Sequence, residues 1–325
     1  MSEVETLARG ILERKLRPLA KGITLIESKN PEHNQAANQL LEKILPHTGN
    51  SVRIGISGVP GVGKSTFIEA FGKHLTSQGH RVAVLAVDPT SQITGGSILG
   101  DKTRMEELAR DENAFIRPSP AGATLGGVAR KTRETMLLCE AAGYDVILIE
   151  TVGVGQSEIT VASMVDFFML LQLANAGDEL QGIKKGVMEI ADAIIINKAE
   201  GSNRLRAEVA AQQYVNALHI LRPKSPNWQV PVKLCSAMYK EGISEIWEMV
   251  CDYRQKLTNS GEFDEKRRKQ SVDWFWTLLM DDLKDMFLSN RNVESMFESV
   301  REAVEKGVLP PAAASKRLLE LFKRH

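Results

Sequence analysis

Several classes of protein are closed to this chain by what it lacks. No apolar stretch approaches the roughly 18 to 20 residues needed to span a bilayer, and the chain does not open with a basic segment followed by an apolar one. No membrane role is expected, and the expected compartment is the cytoplasm. Charge of one sign is also missing: 41 basic residues stand against 41 acidic ones, so no overall field recruits nucleic acid or an anionic lipid surface. Only three cysteines are present, Cys139, Cys235 and Cys251, with no Cys-x-x-Cys pair and no histidine at metal-ligand spacing. That argues against a disulfide framework or a zinc centre, and all three are expected to be buried, reduced thiols. Internal repeats and low-complexity segments are absent too, which excludes a solenoid.

What is present is a chain of 325 residues, 43% apolar, long enough for one large domain with helical extensions. Residues 1–49 read as helices, because Leu7, Ile11 and Leu12, then Leu40, Leu41, Ile44 and Leu45, recur at helical spacing, with a break at Asn30-Pro31. From Val52 onward, short apolar runs at 52–56, 82–87, 114–116, 146–149, 167–173, 193–196 and 230–234 alternate with amphipathic helices. That alternation predicts βαβ units, an α/β fold whose mostly parallel, doubly wound sheet carries helices on both faces. Beyond Asn259-Ser260-Gly261, a charged run at 264–269 leads into a helical tail. There Trp276, Leu279, Leu283, Met286 and Phe287 share one stripe, and Pro310-Pro311 precedes a last helix carrying Leu318, Leu319 and Phe322. Three segments are expected: an N-terminal helical extension over 1–49, a nucleotide-binding domain over 50–258 and a C-terminal helical arm over 259–325.

The middle segment is read as nucleotide-binding because Gly58-Val59-Pro60-Gly61-Val62-Gly63-Lys64-Ser65 matches G-x-x-x-x-G-K-[ST] between a predicted strand and a predicted helix. Polyphosphate needs closely spaced backbone N–H groups pointing inward, and a helix N-terminus adds the positive end of a dipole. Gly58, Pro60, Gly61, Val62, Gly63, Lys64, Ser65 and Thr66 are therefore the candidate phosphate cradle. Lys64 is the cation for the β- and γ-phosphates, and the Ser65 hydroxyl is a Mg2+ ligand. A dinucleotide reading fails, since G-x-G-x-x-G is absent from this turn.

Mg2+ also calls for carboxylates at strand ends. Glu150 closes the run 146–149 and is the Walker B candidate; Glu150-Thr151-Val152-Gly153 stands where many GTPases have Asp-x-x-Gly, so the Gly153 amide is the candidate γ-phosphate sensor. Asp88 follows another strand and is the candidate for orienting water and holding the metal, with Asp101 completing the metal's surroundings. A plain loop-capping role competes with this reading for both. Arg104, Lys184 and Lys185 are candidate transition-state cations, with surface ion pairing as an equal account.

For the base, Asn197-Lys198-Ala199-Glu200 follows a predicted strand and resembles the guanine-reading Asn-Lys-x-Asp. A carboxylate at Glu200 can accept from guanine N1–H and the 2-amino group, donors that adenine lacks on that edge. Ser236-Ala237 follows the next strand, where the Ala237 amide is expected to meet guanine O6. GTP or GDP with Mg2+ is the expected ligand.

Taken in order, Gly58 to Ser65, Asp88-Pro89-Thr90-Ser91, Gly95 to Arg104, Glu150 to Glu158 and Gln181 to Gly186 closely resemble the MeaB/ArgK family of P-loop GTPases over nearly the whole length. The resemblance implies a G protein with an N-terminal helical extension and a C-terminal arm used for homodimerisation. It also implies a chaperone for adenosylcobalamin-dependent methylmalonyl-CoA mutase, coupling GTP hydrolysis to cofactor loading and protection, with Asn175 to Lys185 as a third switch. By the same match Ser65, Asp88, Asp101 and Glu150 surround the metal, while Asn197, Glu200, Ser236 and Ala237 surround the base. Two residues depart from the pattern: Glu200 stands for the usual Asp, and Thr90 for a usual Ser. The resemblance also brings an older description, an ATPase or kinase serving basic amino-acid transport; a nucleotide-gated binding module with negligible intrinsic turnover is the other alternative.

Overall fold

The apolar runs dictate the centre of the molecule. In the computed structural model, which describes residues 2–28, 30–87, 105–118, 125–151, 156–174 and 185–323, seven strands form one sheet. They are β1 (Val52–Gly58), β2 (Val82–Val87), β3 (Ala114–Arg117), β4 (Val146–Thr151), β5 (Phe167–Leu173), β6 (Ala193–Asn197) and β7 (Val232–Leu234). Every pairing is parallel, in the order β3-β2-β4-β1-β5-β6-β7. Strand β1 is thus flanked by β4 and β5, with Ile56 opposite both Glu150 and Met169. The C-terminal ends of these central strands form the crevice where ligands meet such sheets.

Both faces are covered, and alternate residues divide between them as a period of two requires. Ile54, Ile56, Val84, Leu148, Phe167, Met169 and Ile195 point to one face, where they meet Phe67, Ile68, Phe71 and Leu75 of α4 (Lys64–Ser77) and Ile246, Trp247, Val250 and Tyr253 of a later helix, Ile243–Ser260. Ala83, Leu85, Ile147, Ile149 and Phe168 point the other way. They pack with three N-terminal helices, α1 (Glu3–Leu12), α2 (Leu16–Glu27) and α3 (Pro31–Ile44), and with α6 (Leu125–Ala141) and α7 (Gln156–Ala162). The short helices α5 (Glu106–Ala109) and α8 (Lys185–Ile190) complete the order before α9 (Arg204–Ile220), which covers Ile194 and Ile196. The helix Ile243–Ser260 is α10.

Caps account for the N-terminal breaks. Ser2 and Glu5 form a capping box at the start of α1, and the Asn30 side chain accepts from the Glu32 N–H at 3.1 Å at the start of α3. Strand β7 is shorter than its apolar run predicts, because Pro231 has no N–H to give to the ladder and contributes only its carbonyl, to the Ile194 N–H at 3.0 Å.

The chain divides into two compact units, Met1–Lys266 and Arg267–His325. The charged run 264–269 lies inside a long helix, α11 (Glu262–Leu288), rather than in a connection. Two more helices follow, α12 (Arg291–Glu305) and α13 (Pro311–Phe322). The break between α11 and α12 comes from Asn290, whose side chain accepts from the Asn292 and Val293 N–H groups. Val293, Val300, Ala314 and Leu318 form the second unit's core. Phe287 belongs to it, its ring tilted against Phe322 with centroids 5.3 Å apart, so it departs from the predicted stripe, while Trp276, Leu283 and Met286 are exposed.

One thiol also corrects the sequence expectation: Cys139 and Cys235 are buried, but Cys251 is exposed, on the outer side of α10. No helix among the described residues is long and apolar enough to cross a membrane.

Candidate functional site

The turn between β1 and α4 carries the candidate cradle at the C-terminal end of the central strand. Gly61 and Gly63 have φ of +83° and +92°, values that L side chains adopt only with strain. At Gly63 space is closed as well, since a Cβ there would lie 2.9 Å from Asn197 Nδ2. Val62 is buried beneath the turn, Pro60 and Thr66 are exposed, and Ser65 is partly buried at the helix N-terminus. Lys64 folds back so that its Nζ donates to the Gly58 carbonyl at 2.8 Å. Burial pulls the Lys64 ammonium below the ordinary lysine value, while the carboxylates of Glu150 and Glu158 oppose that shift.

Asn197 ends β6 and is nearly fully buried. Its Nδ2 donates to the Val62 carbonyl at 2.9 Å, and its Oδ1 accepts the Ala237 N–H at 3.1 Å. One amide therefore ties the cradle to the loop after β7. The Ala237 amide, expected to face guanine O6, donates to Asn197 Oδ1 in this structure. Lys198 adopts a left-handed φ of +58° that returns its side chain over the cradle, with Nζ donating to the Gly61 carbonyl at 2.8 Å. The two loops are closed together by Cys235 N–H to Ile196 O at 2.9 Å and Ala199 N–H to Cys235 O at 3.0 Å. Ser236 pairs with Glu241 across a tight turn, and its hydroxyl accepts from the Tyr239 N–H at 3.3 Å.

Glu200 sits beside this junction, and its Oε2 is buried with no hydrogen-bond partner among the described residues. A buried carboxylate oxygen without a partner costs on the order of 1 to 3 kcal/mol, more when charged. Burial, with Glu200 foremost among the neighbouring carboxylates, pushes the Cys235 thiol up to about 12, so it remains a protonated packing residue.

Sequence reasoning missed the floor of the site. Thr151, the last residue of β4, donates from Oγ1 to Ser57 Oγ at 2.9 Å, and Ser57 Oγ donates to Glu158 Oε1 at 3.5 Å. Ser57, Thr151 and Glu158 are all buried. Ser57 directly precedes the Gly58 to Ser65 motif, and Thr151 and Glu158 fall inside the Glu150 to Glu158 stretch, but neither motif assigns them a role at the floor of the site.

The candidate residues therefore divide by position. The structure brings together Gly58 to Thr66, Asn197, Lys198, Glu200, Ser236 and Ala237, with Glu150 acting electrostatically on Lys64. Asp88, Asp101, Arg104, Gly153 and Lys184 lie outside the described residues, as does the side chain of Lys185. Among the described residues no three His, Cys, Asp or Glu side chains form a metal cluster. Mg2+ needs fewer protein ligands than that, since it is commonly held by one or two carboxylates together with a hydroxyl, waters and substrate phosphate.

Comparisons with known proteins agree with this geometry. The sequence profile described as Methylmalonyl Co-A mutase-associated GTPase MeaB matches residues 19–292. The chain is 49% identical to the GTPase ArgK of Escherichia coli over 323 residues, covering 98% of this chain and 97% of ArgK. It is 46% identical to the mitochondrial methylmalonic aciduria type A homolog of Mus musculus over 333 residues, covering 99% and 80%. A crystal structure described as an LAO/AO transport system kinase superposes with a TM-score of 0.80 at 42% identity, covering 99% of both chains. The protein is a P-loop GTPase, and it belongs to the family of methylmalonyl Co-A mutase-associated GTPases, MeaB.

Proposed function

We propose that this GTPase reads guanine through Glu200, works with Mg2+, and serves as a G-protein chaperone of an adenosylcobalamin-dependent methylmalonyl-CoA mutase. The observation that carries the base assignment is the buried, empty Oε2 of Glu200 beside the Asn197 bridge. It suits two donors on one edge, as guanine N1–H and the 2-amino group provide, and adenine has nothing to give it. The longer Glu side chain reaches the same edge that Asp reads in related sites, with the Lys198 stem lying over the cradle.

The donor set suits Mg2+: oxygens from Ser65 and Glu150, with Asp88 and Asp101 as the remaining candidates, are the hard ligands this ion takes. When bound, Mg2+ supplies charge neutralisation of the phosphates. The protein's own part is positioning. Backbone N–H groups of 61–65 enclose the β-phosphate, Lys64 leaves the Gly58 carbonyl for the phosphates, and the Gly153 amide reads the γ-phosphate. Such preorganised donors cost little reorganisation when charge develops on the transferred group.

The mutase assignment follows from family membership. Self-association is proposed from the C-terminal unit, where Phe275 and Trp276 are 57% and 55% exposed and continue through Met280, Leu283 and Met286 on the same helix. Lys64→Ala should abolish nucleotide binding in a folded protein. A pull-down with an adenosylcobalamin-dependent mutase should then recover a complex whose amount depends on GTP against GDP. No complex in GTP, GDP or nucleotide-free conditions would overturn the chaperone reading, and a monomer at high concentration by light scattering would overturn the dimer.

A further inference from the structure

We infer that Ser57, Thr151 and Glu158 form a buried staple that positions Glu150 and Lys64 for phosphate chemistry. The inference rests on the GTPase reading of this site and extends it to residues that touch neither nucleotide nor metal.

Ser57 precedes Gly58, the residue whose carbonyl holds Lys64 Nζ at 2.8 Å. Its hydroxyl accepts from Thr151 at 2.9 Å and faces Glu158 at 3.5 Å. Thr151 directly follows Glu150, and Glu158 lies in the first turn of α7. One hydroxyl on β1 therefore holds both the end of β4 and the start of α7, the two described ends of the 152–155 connection. Backbone pairing holds Thr151 to Val87 on β2 but not to β1, because the β1–β4 ladder ends with Ile56 opposite Glu150. Ser57 and Thr151 side chains take over where the ladder stops.

Glu158 is the unusual member. It is 4% exposed, and among the described residues it accepts two long hydroxyl contacts, 3.5 Å from Ser57 and 3.4 Å from Ser157. Lys64 Nζ is held by the carbonyl of Gly58, the residue after Ser57, so what fixes Ser57 also fixes the level of that carbonyl. The staple thus links the end of β4, the Gly58 carbonyl that holds Lys64 and the first turn of α7 in one buried unit.

The test separates positioning from simple folding. Thr151→Val keeps shape but removes the donor, Thr151→Ser keeps the donor, Glu158→Gln keeps size but removes the charge, and Ser57→Ala removes the centre. Thermal melts establish that each variant is folded. Single-turnover GTP hydrolysis should fall on the order of 10- to 100-fold in Ser57→Ala, Thr151→Val and Glu158→Gln, while GDP affinity changes by less than about threefold. Thr151→Ser should recover most of the loss, and Ser57→Ala with Thr151→Val should be little worse than Ser57→Ala alone, because the two remove one shared bond. Amide exchange of 156–162 in the nucleotide-free protein should speed up in Ser57→Ala and Glu158→Gln, with α4 unchanged. Unchanged hydrolysis, losses that multiply, or unchanged exchange would overturn the staple. Absence of hydrolysis in the unsubstituted protein would instead count against the GTPase reading, leaving the exchange experiment to decide the staple.

Discussion

Replacing Gly63 by alanine should destabilise the nucleotide-free protein more than replacing Gly61, and the difference should report the Asn197 bridge. Both glycines hold a left-handed φ, +83° at Gly61 and +92° at Gly63, so both substitutions carry the same backbone penalty of about 1 to 2 kcal/mol. At Gly61 an added Cβ meets nothing within 4 Å. At Gly63 it would lie 2.9 Å from Asn197 Nδ2, the atom that donates to the Val62 carbonyl. The amide must shift, and the loss of its Nδ2 bond leaves the Val62 carbonyl without that partner. One unsatisfied buried group costs about 1 to 3 kcal/mol, giving a total near 2 to 5 kcal/mol at Gly63. Urea unfolding of the two variants and the parent, fitted for both midpoint and slope, measures the contrast. Because the backbone terms cancel, equal destabilisation would refute the claim that Asn197 rigidly joins the cradle to the base loops.

Three further outcomes follow from buried polar groups. Glu140→Gln should cost about 3 to 5 kcal/mol in urea unfolding, since the nearly buried Glu140 pairs with Arg53 and also accepts from Ser51 and the Gly49 N–H. Burial opposes the charge on Asp192, but Lys266 and Lys224 outweigh it and hold its carboxyl below the usual range. A depressed folded value contributes stability above the unfolded value, lost as pH falls through the folded one. The stability gap between the parent and Asp192→Asn should therefore narrow as pH drops from neutral to below about 4; a constant gap would contradict the ion pairing. Thiol alkylation of the native protein should modify Cys251 first, with Cys139 and Cys235 protected until unfolding, and mass spectrometry of the labelled peptides distinguishes the order.

Much of this was legible in the sequence because the signals are local. The apolar runs gave seven parallel strands, and the spacing from Gly58 to Ser65 placed the cradle between strand and helix. Asn197 and Glu200 were also named from spacing, since Asn197 ends one strand and Glu200 lies just beyond it. Less legible was anything that depends on residues far apart in the chain. The order of strands, which puts Glu150 beside Ile56, is not written in any run. The staple joins Ser57 to residues 94 and 101 positions away, a contact that no local motif can show. Amphipathic periodicity gave the C-terminal stripe, but the Asn290 cap divides that tail and turns Phe287 inward. Cys251 was misjudged because a lone thiol's exposure depends on which side of α10 it occupies.

The central claim is that the empty Glu200 carboxylate oxygen awaits guanine. Calorimetric titration with Mg·GTP and Mg·ATP, on the parent and on Glu200→Ala, tests it most directly. The account predicts a GTP preference on the order of 100-fold or more in the parent, which collapses in Glu200→Ala while GTP binding through the phosphates persists. Equal binding of the two nucleotides by the parent, or a GTP preference that survives the loss of Glu200, would contradict it.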